Sequence, residues 1–258
     1  MRGLRFPLAL AVVLAAILPA ATSAHREQSA RLTVFAAASL TDALPAIDRR
    51  PRYNFAGSDQ LAFQLQQGAP ADVFAAASPK YPQLLYQQGL VEKPIPFATN
   101  MLVLIVPKAN SDHVHSVFDV TKPGVKVVIG DPSVPVGAYT RTVLNNLGIA
   151  DAVMKNVVSQ ETDVRGVLAK VALDEADAGF VYLTDARTVK GKVGVVVIRA
   201  SAQPQIVYEV AVVKSSKHLG LAHRFVTRLI RPVAQRTLEK YGFGRRQRPS
   251  RLRSANAR

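Results

Sequence analysis

Short apolar runs alternate with helical patterns along most of the chain, and this alternation constrains the fold more than any other feature. LTVFAAA, MLVLIVP and VKVVIGD are each short enough to be one buried strand, and AGFVYL, VGVVVIRA and IVYEVAVV are of the same kind. The last helical pattern, over 219–241, contains Pro232, where we expect a break. Strands alternating with helices predict an α/β fold whose mostly parallel sheets are flanked by helices.

Two of these runs, MLVLIVP and IVYEVAVV, are the natural crossovers between two lobes. Lobe I then comprises residues 25–101 and 208–244, and lobe II comprises residues 102–207. One continuous doubly wound sheet is the alternative. In either arrangement a ligand binds beyond the carboxyl ends of the strands, where the helices begin.

Two serines lie at such strand-to-helix junctions. Ser39 follows LTVFAAA and precedes a helical segment over 40–46, and Ser58 follows the run NFAG and precedes LAFQLQQ. The pattern predicts both serines as helix N-caps. Because the first N–H groups of a helix attract an anion without any charged side chain, the two junctions indicate an oxyanion-binding protein.

The first 24 residues have the pattern of a signal peptide. Arg2 and Arg5 precede an apolar run over 8–18, and Thr22-Ser23-Ala24 resembles a cleavage site. The run is too short to cross a bilayer, although an uncleaved membrane anchor is the alternative. The chain contains no cysteine, which excludes disulfides, thiolate metal sites and lipid attachment to an N-terminal cysteine. We therefore expect an exported periplasmic protein that is not a lipoprotein.

Charge alone identifies no partner. Of the net charge of +15, the first 24 residues carry +2 and residues 245–258 carry +6, which leaves +7 for residues 25–244. This moderately basic body suits an anionic ligand. The arginine-rich tail over 245–258 lacks an apolar face and is predicted to be disordered. Weak adhesion to anionic lipid or nucleic acid is the alternative, and an exported location favours lipid. No DNA-reading helix-turn-helix pattern is present, so we expect no nucleic-acid partner.

Four segments in order resemble the periplasmic molybdate-binding proteins of ABC importers. They are LTVFAAASLTDAL, FAGSDQLAFQLQQGAPADVFAAAS, VVIGDPSVPVGAYTRTVLNNLG and TDVRGVLAKVALDEADAGFVYLTDA. The resemblance implies a two-lobed type II periplasmic-binding-protein fold that closes on molybdate and tungstate. It also implies a monomer without a cofactor that works with an inner-membrane permease and its cytoplasmic ATPase.

The same resemblance implies five ligand positions: Ser39, Ser58, Val136, Val164 and Tyr182. The serines match positions that offer hydroxyl and backbone N–H groups, the valines match positions that offer backbone N–H groups, and the tyrosine matches a hydroxyl donor. Neutral donors satisfy a buried dianion without a cation and reject an anion that must donate a proton, such as hydrogen phosphate. Sulfate differs from molybdate mainly in its smaller size, so cavity volume must discriminate between the two.

The acidic residues near the predicted site have structural roles in this prediction, and other functions are less favoured. Asp131 and Asp163 are expected to cap a turn and a helix, whereas Asp59 must point away from an anion at Ser58. The connection between Ser39 and Ser58 is short for the family, so its helix should be trimmed to barely two turns. His113 and His115 lack an acid cluster, which argues against a metal site. We expect a binding protein and not an enzyme. The alternative is a protein of the same fold that binds another tetrahedral oxyanion, such as sulfate or phosphate, and a regulatory ligand-binding domain is a remote alternative.

Overall fold

The computed structural model describes residues 31–110 and 113–246. The predicted signal peptide over 1–24 and residues 247–258 of the predicted tail lie outside the described residues. Within the described part, no helix combines the length and apolar character needed to cross a membrane.

Ten strands form two five-stranded sheets. The first sheet has the order β2-β1-β3-β10-β4, and the second has the order β7-β6-β8-β5-β9. The strands are β1 (Thr33–Ala37), β2 (Arg52–Ala56), β3 (Val73–Ala76), β4 (Ile95–Asn100), β5 (Leu102–Pro107), β6 (Val127–Gly130), β7 (Val157–Glu161), β8 (Ala178–Tyr182), β9 (Val193–Val197) and β10 (Ile206–Val212).

Helices flank both sheets, as the alternating pattern predicts. The described helices are α1 (Ala43–Ile47), α2 (Ser58–Gln66), α3 (Lys80–Gln87), α4 (Pro135–Leu147), α5 (Ala150–Met154), α6 (Val164–Ala172), α7 (Leu183–Thr188), α8 (Leu219–Leu229) and α9 (Pro232–Lys240). The predicted break at Pro232 is confirmed, because this proline opens α9 at a position where a missing N–H costs nothing.

The two sheets share one pairing pattern. In the first, β1 pairs in parallel with β2 and β3, and β10 runs antiparallel to β3 and β4. In the second, β6 pairs in parallel with β7 and β8, and β5 runs antiparallel to β8 and β9. We call the half built on the first sheet lobe I and the half built on the second sheet lobe II. The predicted α/β class is confirmed, whereas the predicted lobe borders at 101/102 and 207/208 stay a prediction.

Helix burial holds the layers together. On lobe I, Leu61 and Leu65 of α2 and Leu85 of α3 pack with Phe35 and Phe74 of the sheet, and all five side chains are buried. Burying a side chain of this size contributes roughly 1.5–3 kcal/mol relative to leaving it exposed. This packing fixes the start of α2 beside the ends of the strands.

The connection after β1 is short, as predicted, and contains a buried acid. Its helix α1 spans five residues, fewer than the predicted two turns, and Pro45 lies inside it. Asp48 follows the helix, with ion pairs of 2.8 Å to Arg50 and 2.5 Å to Arg228. The Arg50 guanidinium is the main cause that lowers the pKa of Asp48, which keeps this buried carboxylate ionised. The arginine-rich turn is thereby anchored to α8.

Candidate functional site

A cavity lies where the parallel strands of both sheets end. Its volume is about 20 Å³, far below the roughly 300–1,000 Å³ of sites that hold drug-sized ligands. The lining includes all five residues predicted from the sequence: Ser39, Ser58, Val136, Val164 and Tyr182. The structure therefore brings together residues from both lobes around a space suited to a small ligand.

Four helix starts converge on this cavity. Ser39 lies in a 3₁₀ helix over Ala38–Leu40, Ser58 is the first residue of α2, Val136 is the second residue of α4, and Val164 is the first residue of α6. The first N–H groups of a helix have no acceptor within that helix and carry partial positive charge. Four such ends around one cavity favour a negatively charged ligand.

The predicted N-cap role of the two serines is wrong. The cap positions belong to Ala37 and Gly57, and neither makes a side-chain cap bond. The reason is that both serine hydroxyls already bond elsewhere. Ser39 Oγ lies 2.8 Å from the hydroxyl of Tyr208, and Ser58 Oγ accepts a hydrogen bond of 3.1 Å from the N–H of Ala77.

Tyr182 brings a buried hydroxyl to the cavity. Its side chain is 1% exposed, and its hydroxyl oxygen has no hydrogen-bond partner among the described residues. Burial raises the pKa of Tyr182 well above its ordinary value, so the group remains a protonated donor. An unpaired buried hydroxyl costs free energy unless a ligand satisfies it.

Among the described residues, the cavity lining has no positively charged side chain and one acidic side chain. Beyond the five predicted positions, the lining residues are Ala37, Ala38, Ala56, Gly57, Ala77, Val134, Pro135 and Asp163. Asp163 Oδ1 accepts hydrogen bonds from the N–H groups of Arg165 (2.7 Å) and Gly166 (3.1 Å), which confirms its prediction as the cap of α6. Val164, the first residue of α6, lines the cavity next to this cap.

The other two acids also take the roles predicted for them. Asp131 Oδ1 accepts from the N–H of Ser133 at 2.9 Å, which confirms its turn-capping role. Asp59 lies outside the cavity lining and accepts a hydrogen bond of 3.0 Å from Ser133 Oγ. Neither carboxylate therefore lines the anion-sized space.

The two lobes contact each other around the cavity. Arg165 of α6 forms an ion pair with Asp42 of lobe I, and the hydroxyl of Tyr81 donates to the carbonyl oxygen of Ser133 in lobe II. A Cβ at Gly57 would lie 2.5 Å from the carbonyl oxygen of Thr162 across the cleft. These contacts describe a closed arrangement.

Sequence reasoning missed two residues behind Ser39. Tyr208 of β10 bonds Ser39, and Asn100 of β4 donates to the Tyr208 hydroxyl at 3.2 Å. The available signal was a tyrosine inside the apolar run IVYEVAVV, because a buried tyrosine hydroxyl usually finds a partner. His113 and His115 lie with ring centroids 6.3 Å apart, and the described residues contain no group of three potential metal ligands.

Comparison with protein families settles the class. The family model described as bacterial extracellular solute-binding protein matches residues 32–244. The chain belongs to this family. Solute-binding proteins bind and release their ligands unchanged, so the chain is not an enzyme.

Known relatives agree with this membership. Molybdate-binding protein ModA of Mycobacterium tuberculosis is 40% identical over 238 residues, which cover 88% of this solute-binding protein and 90% of the relative. The substrate-binding domain of a putative molybdenum ABC transporter from Clostridium difficile matches with 33% identity and a TM-score of 0.64, over 84% of this chain and 99% of that one.

A third comparison concerns the fold alone. The periplasmic molybdate-binding protein of Azotobacter vinelandii superposes with a TM-score of 0.75 at 21% identity, over 84% of this chain and 100% of that one. The predicted two-lobed type II periplasmic-binding-protein fold is confirmed.

Proposed function

We propose that this solute-binding protein captures molybdate, and also tungstate, in the periplasm and delivers it to an inner-membrane ABC permease driven by a cytoplasmic ATPase. It acts as an exported monomer. Its oxyanion ligands are the hydroxyls of Ser39, Ser58 and Tyr182 and the backbone N–H groups at Val136 and Val164. The relatives named for molybdate support the choice of anion, and the apolar run over 8–18 supports export.

One observation carries this proposal: four helix starts and the buried hydroxyl of Tyr182, which has no hydrogen-bond partner among the described residues, converge on one small cavity. The described residues that line this cavity include no positively charged side chain. A dianion that leaves water loses strong hydration, and it binds only where donors replace that hydration. Hydroxyl and N–H groups in fixed positions meet this need. The helix starts add partial positive charge at fixed positions. A charged side chain such as lysine would instead attract every anion to a similar degree.

Closure of the two lobes completes the site. Ser39 and Ser58 belong to lobe I, whereas Val136, Val164 and Tyr182 belong to lobe II. An anion bound to one lobe alone keeps only part of its donors, so the full set favours the closed state. The interlobe contacts of Arg165 and Ser133 then add to the stability of that state.

The test is calorimetric titration of the protein with molybdate, tungstate and sulfate. We expect molybdate and tungstate to bind tightly and sulfate to bind weakly, because the smaller sulfate cannot reach all donors at once. Thermal unfolding provides a second readout, since a ligand at about 100 times its Kd stabilises the folded state by about 2.7 kcal/mol.

The double variant Ser39→Ala with Ser58→Ala should lose molybdate binding and keep its fold. Ser78→Ala is a matched control, because Ser78 is a buried serine outside the cavity lining and should leave binding intact. Retained binding in the double variant would place the site elsewhere. Equal stabilisation by sulfate, with none by molybdate, would contradict the choice of anion.

A further inference from the structure

A chain of hydrogen bonds leads from the crossover between the lobes to the Ser39 hydroxyl. Asn100 is the last residue of β4, directly before the crossover at Met101, and its Nδ2 lies 3.2 Å from the Tyr208 hydroxyl. The Tyr208 hydroxyl lies 2.8 Å from Ser39 Oγ. Tyr208 is 0% exposed and Ser39 is 4% exposed, so water does not replace these bonds.

The orientation of the Asn100 amide is fixed by its neighbours. Its Oδ1 accepts a hydrogen bond of 2.9 Å from the N–H of Met101, which is a donor only. The amide nitrogen therefore faces the opposite side, where its two hydrogens have one acceptor each: Thr184 Oγ1 at 3.0 Å and the Tyr208 hydroxyl at 3.2 Å. Asn100 is thus a donor toward Tyr208.

This orientation decides which way the next hydroxyl points. The Tyr208 oxygen accepts from Asn100, so its single hydrogen is free to donate to Ser39 Oγ. Burial raises the pKa of Tyr208 well above its ordinary value, and the hydroxyl keeps that hydrogen. If Ser39 donated instead, the hydrogen of Tyr208 would be buried with no acceptor among residues 31–110 and 113–246, at a cost of about 1–3 kcal/mol.

Ser39 Oγ therefore accepts from the protein, and its own hydrogen is left for the cavity. Ser58 follows the same rule by a simpler route, because the N–H of Ala77 donates to its Oγ. A backbone N–H never reverses direction, whereas a hydroxyl such as Tyr208 reverses unless something holds it. Asn100 holds it.

We propose that Tyr208 and Asn100 are positioning residues that fix Ser39 as a hydrogen-bond donor and thereby make the site reject oxyanions that carry a proton. The inference rests on the proposed function, because it concerns the same anion site. Hydrogen phosphate brings an O–H that needs an acceptor, and a Ser39 hydroxyl whose hydrogen is held toward the cavity meets that O–H with a donor. A serine that is free to turn would offer its lone pair.

The experiment compares wild type with Tyr208→Phe, which removes one hydroxyl and keeps the ring. Molybdate, sulfate and phosphate are titrated or competed against one another at mildly alkaline pH, where phosphate is the hydrogen phosphate dianion. We expect molybdate to bind about 2- to 10-fold more weakly to Tyr208→Phe. The preference for molybdate over hydrogen phosphate should fall by about 10-fold, whereas the preference for molybdate over sulfate stays constant.

The pattern of affinities distinguishes two roles of Tyr208: fixing the direction of the Ser39 hydroxyl and holding the site in shape. If Tyr208 only holds the site in shape, its loss weakens all three anions by the same factor. Tyr53→Phe is the matched control: it removes a tyrosine hydroxyl that donates to the carbonyl oxygen of Asp48 at 2.6 Å, away from the cavity. We expect its anion preferences to equal those of wild type.

Three outcomes overturn the inference, and they are distinguishable. Wild type that binds no molybdate contradicts the proposed function and the inference with it. Wild type that binds, together with unchanged preferences in Tyr208→Phe, contradicts the inference alone. If Tyr208→Phe fails to fold, Asn100→Asp replaces the donor toward Tyr208 by an acceptor; it should weaken molybdate by about 10- to 100-fold, and wild-type affinity there would also contradict the inference.

Discussion

At the scale of single residues, Gly57 is a point where backbone from the two lobes approaches closely around the cavity. A Cβ at this position would lie 2.5 Å from the carbonyl oxygen of Thr162 in lobe II and 2.6 Å from Asp59 Oδ1 in lobe I. The backbone itself, with φ of −57° and ψ of 139°, is open to any residue. The glycine is therefore required by space across the cleft and not by its own conformation.

We predict that Gly57→Ala loses anion affinity with little change in stability without ligand. The methyl group obstructs closure because the backbone carbonyl of Thr162 belongs to the opposite lobe, whereas the carboxylate of Asp59 is a side-chain end that can move aside. Titration with molybdate should show about 5- to 150-fold weaker binding, because an overpacked contact typically costs about 1–3 kcal/mol. Gly220→Ala in α8 is the matched control, since the nearest atom to its Cβ is a flexible arginine end at 3.6 Å. Wild-type affinity in Gly57→Ala would show that closure tolerates the added methyl group.

At the scale of elements, the start of α6 combines a helix cap with an anion site. Asp163 accepts hydrogen bonds from two N–H groups of the first turn, and Asp163 and Val164 both line the cavity. The cap stabilises the helix, but its charge lies beside the space for a dianion. These two effects act in opposite directions on binding.

Substitutions at Asp163 should separate the two effects. Asp163→Ala removes the cap and should lower the free energy of unfolding by about 1 kcal/mol, measured by urea unfolding without ligand. Asp163→Asn retains a capping oxygen without the charge, so we expect nearly wild-type stability and tighter molybdate binding. Weaker binding in the asparagine variant would mean that the carboxylate helps to place the Val164 N–H.

The sequence was a good guide to elements whose signal is local. The apolar runs LTVFAAA and MLVLIVP were predicted as strands, and they form β1 and β5. Such runs can be recognised from the sequence because a continuous apolar stretch does not depend on knowing its partner strand. The strand β4 was missed, since Pro96 and the polar end at Asn100 hide its apolar character.

The sequence predicted which residues line the site but not the hydrogen bonds between distant segments that hold them. All five predicted site residues line one cavity, because the motifs that contain them lie at the ends of strands. The N-cap prediction failed at Ser39 because its hydroxyl partner, Tyr208, lies 169 residues further along the chain. Only the antiparallel pairing of β10 with its neighbouring strands brings that partner close.

At the scale of the whole molecule, Arg165 links the buried interior of lobe II to the surface of lobe I. Its guanidinium forms an ion pair with Asp42 across the cleft, and its Nε lies 3.1 Å from Oδ1 of Asp185, which is 0% exposed. Burial raises the pKa of Asp185 to about 7, although the nearby Arg165 opposes this shift and Asp42 and Asp163 add to it. The protonation of one buried acid is thus coupled to the contact that bridges the lobes.

We predict that stability falls as the pH rises from about 4 to about 7. Asp185 ionises near its ordinary pKa in the unfolded chain but only near 7 in the folded protein, so the folded state binds more protons between these values. The free energy of unfolding should therefore decrease over this range, by up to ~4 kcal/mol, and the contribution of Asp185 should be constant above it. Asp185→Asn, which stays neutral, should lose this dependence while keeping the polar contact with Arg165. Urea unfolding of both proteins across this pH range measures the difference, and parallel curves would mean that Arg165 keeps Asp185 ionised throughout.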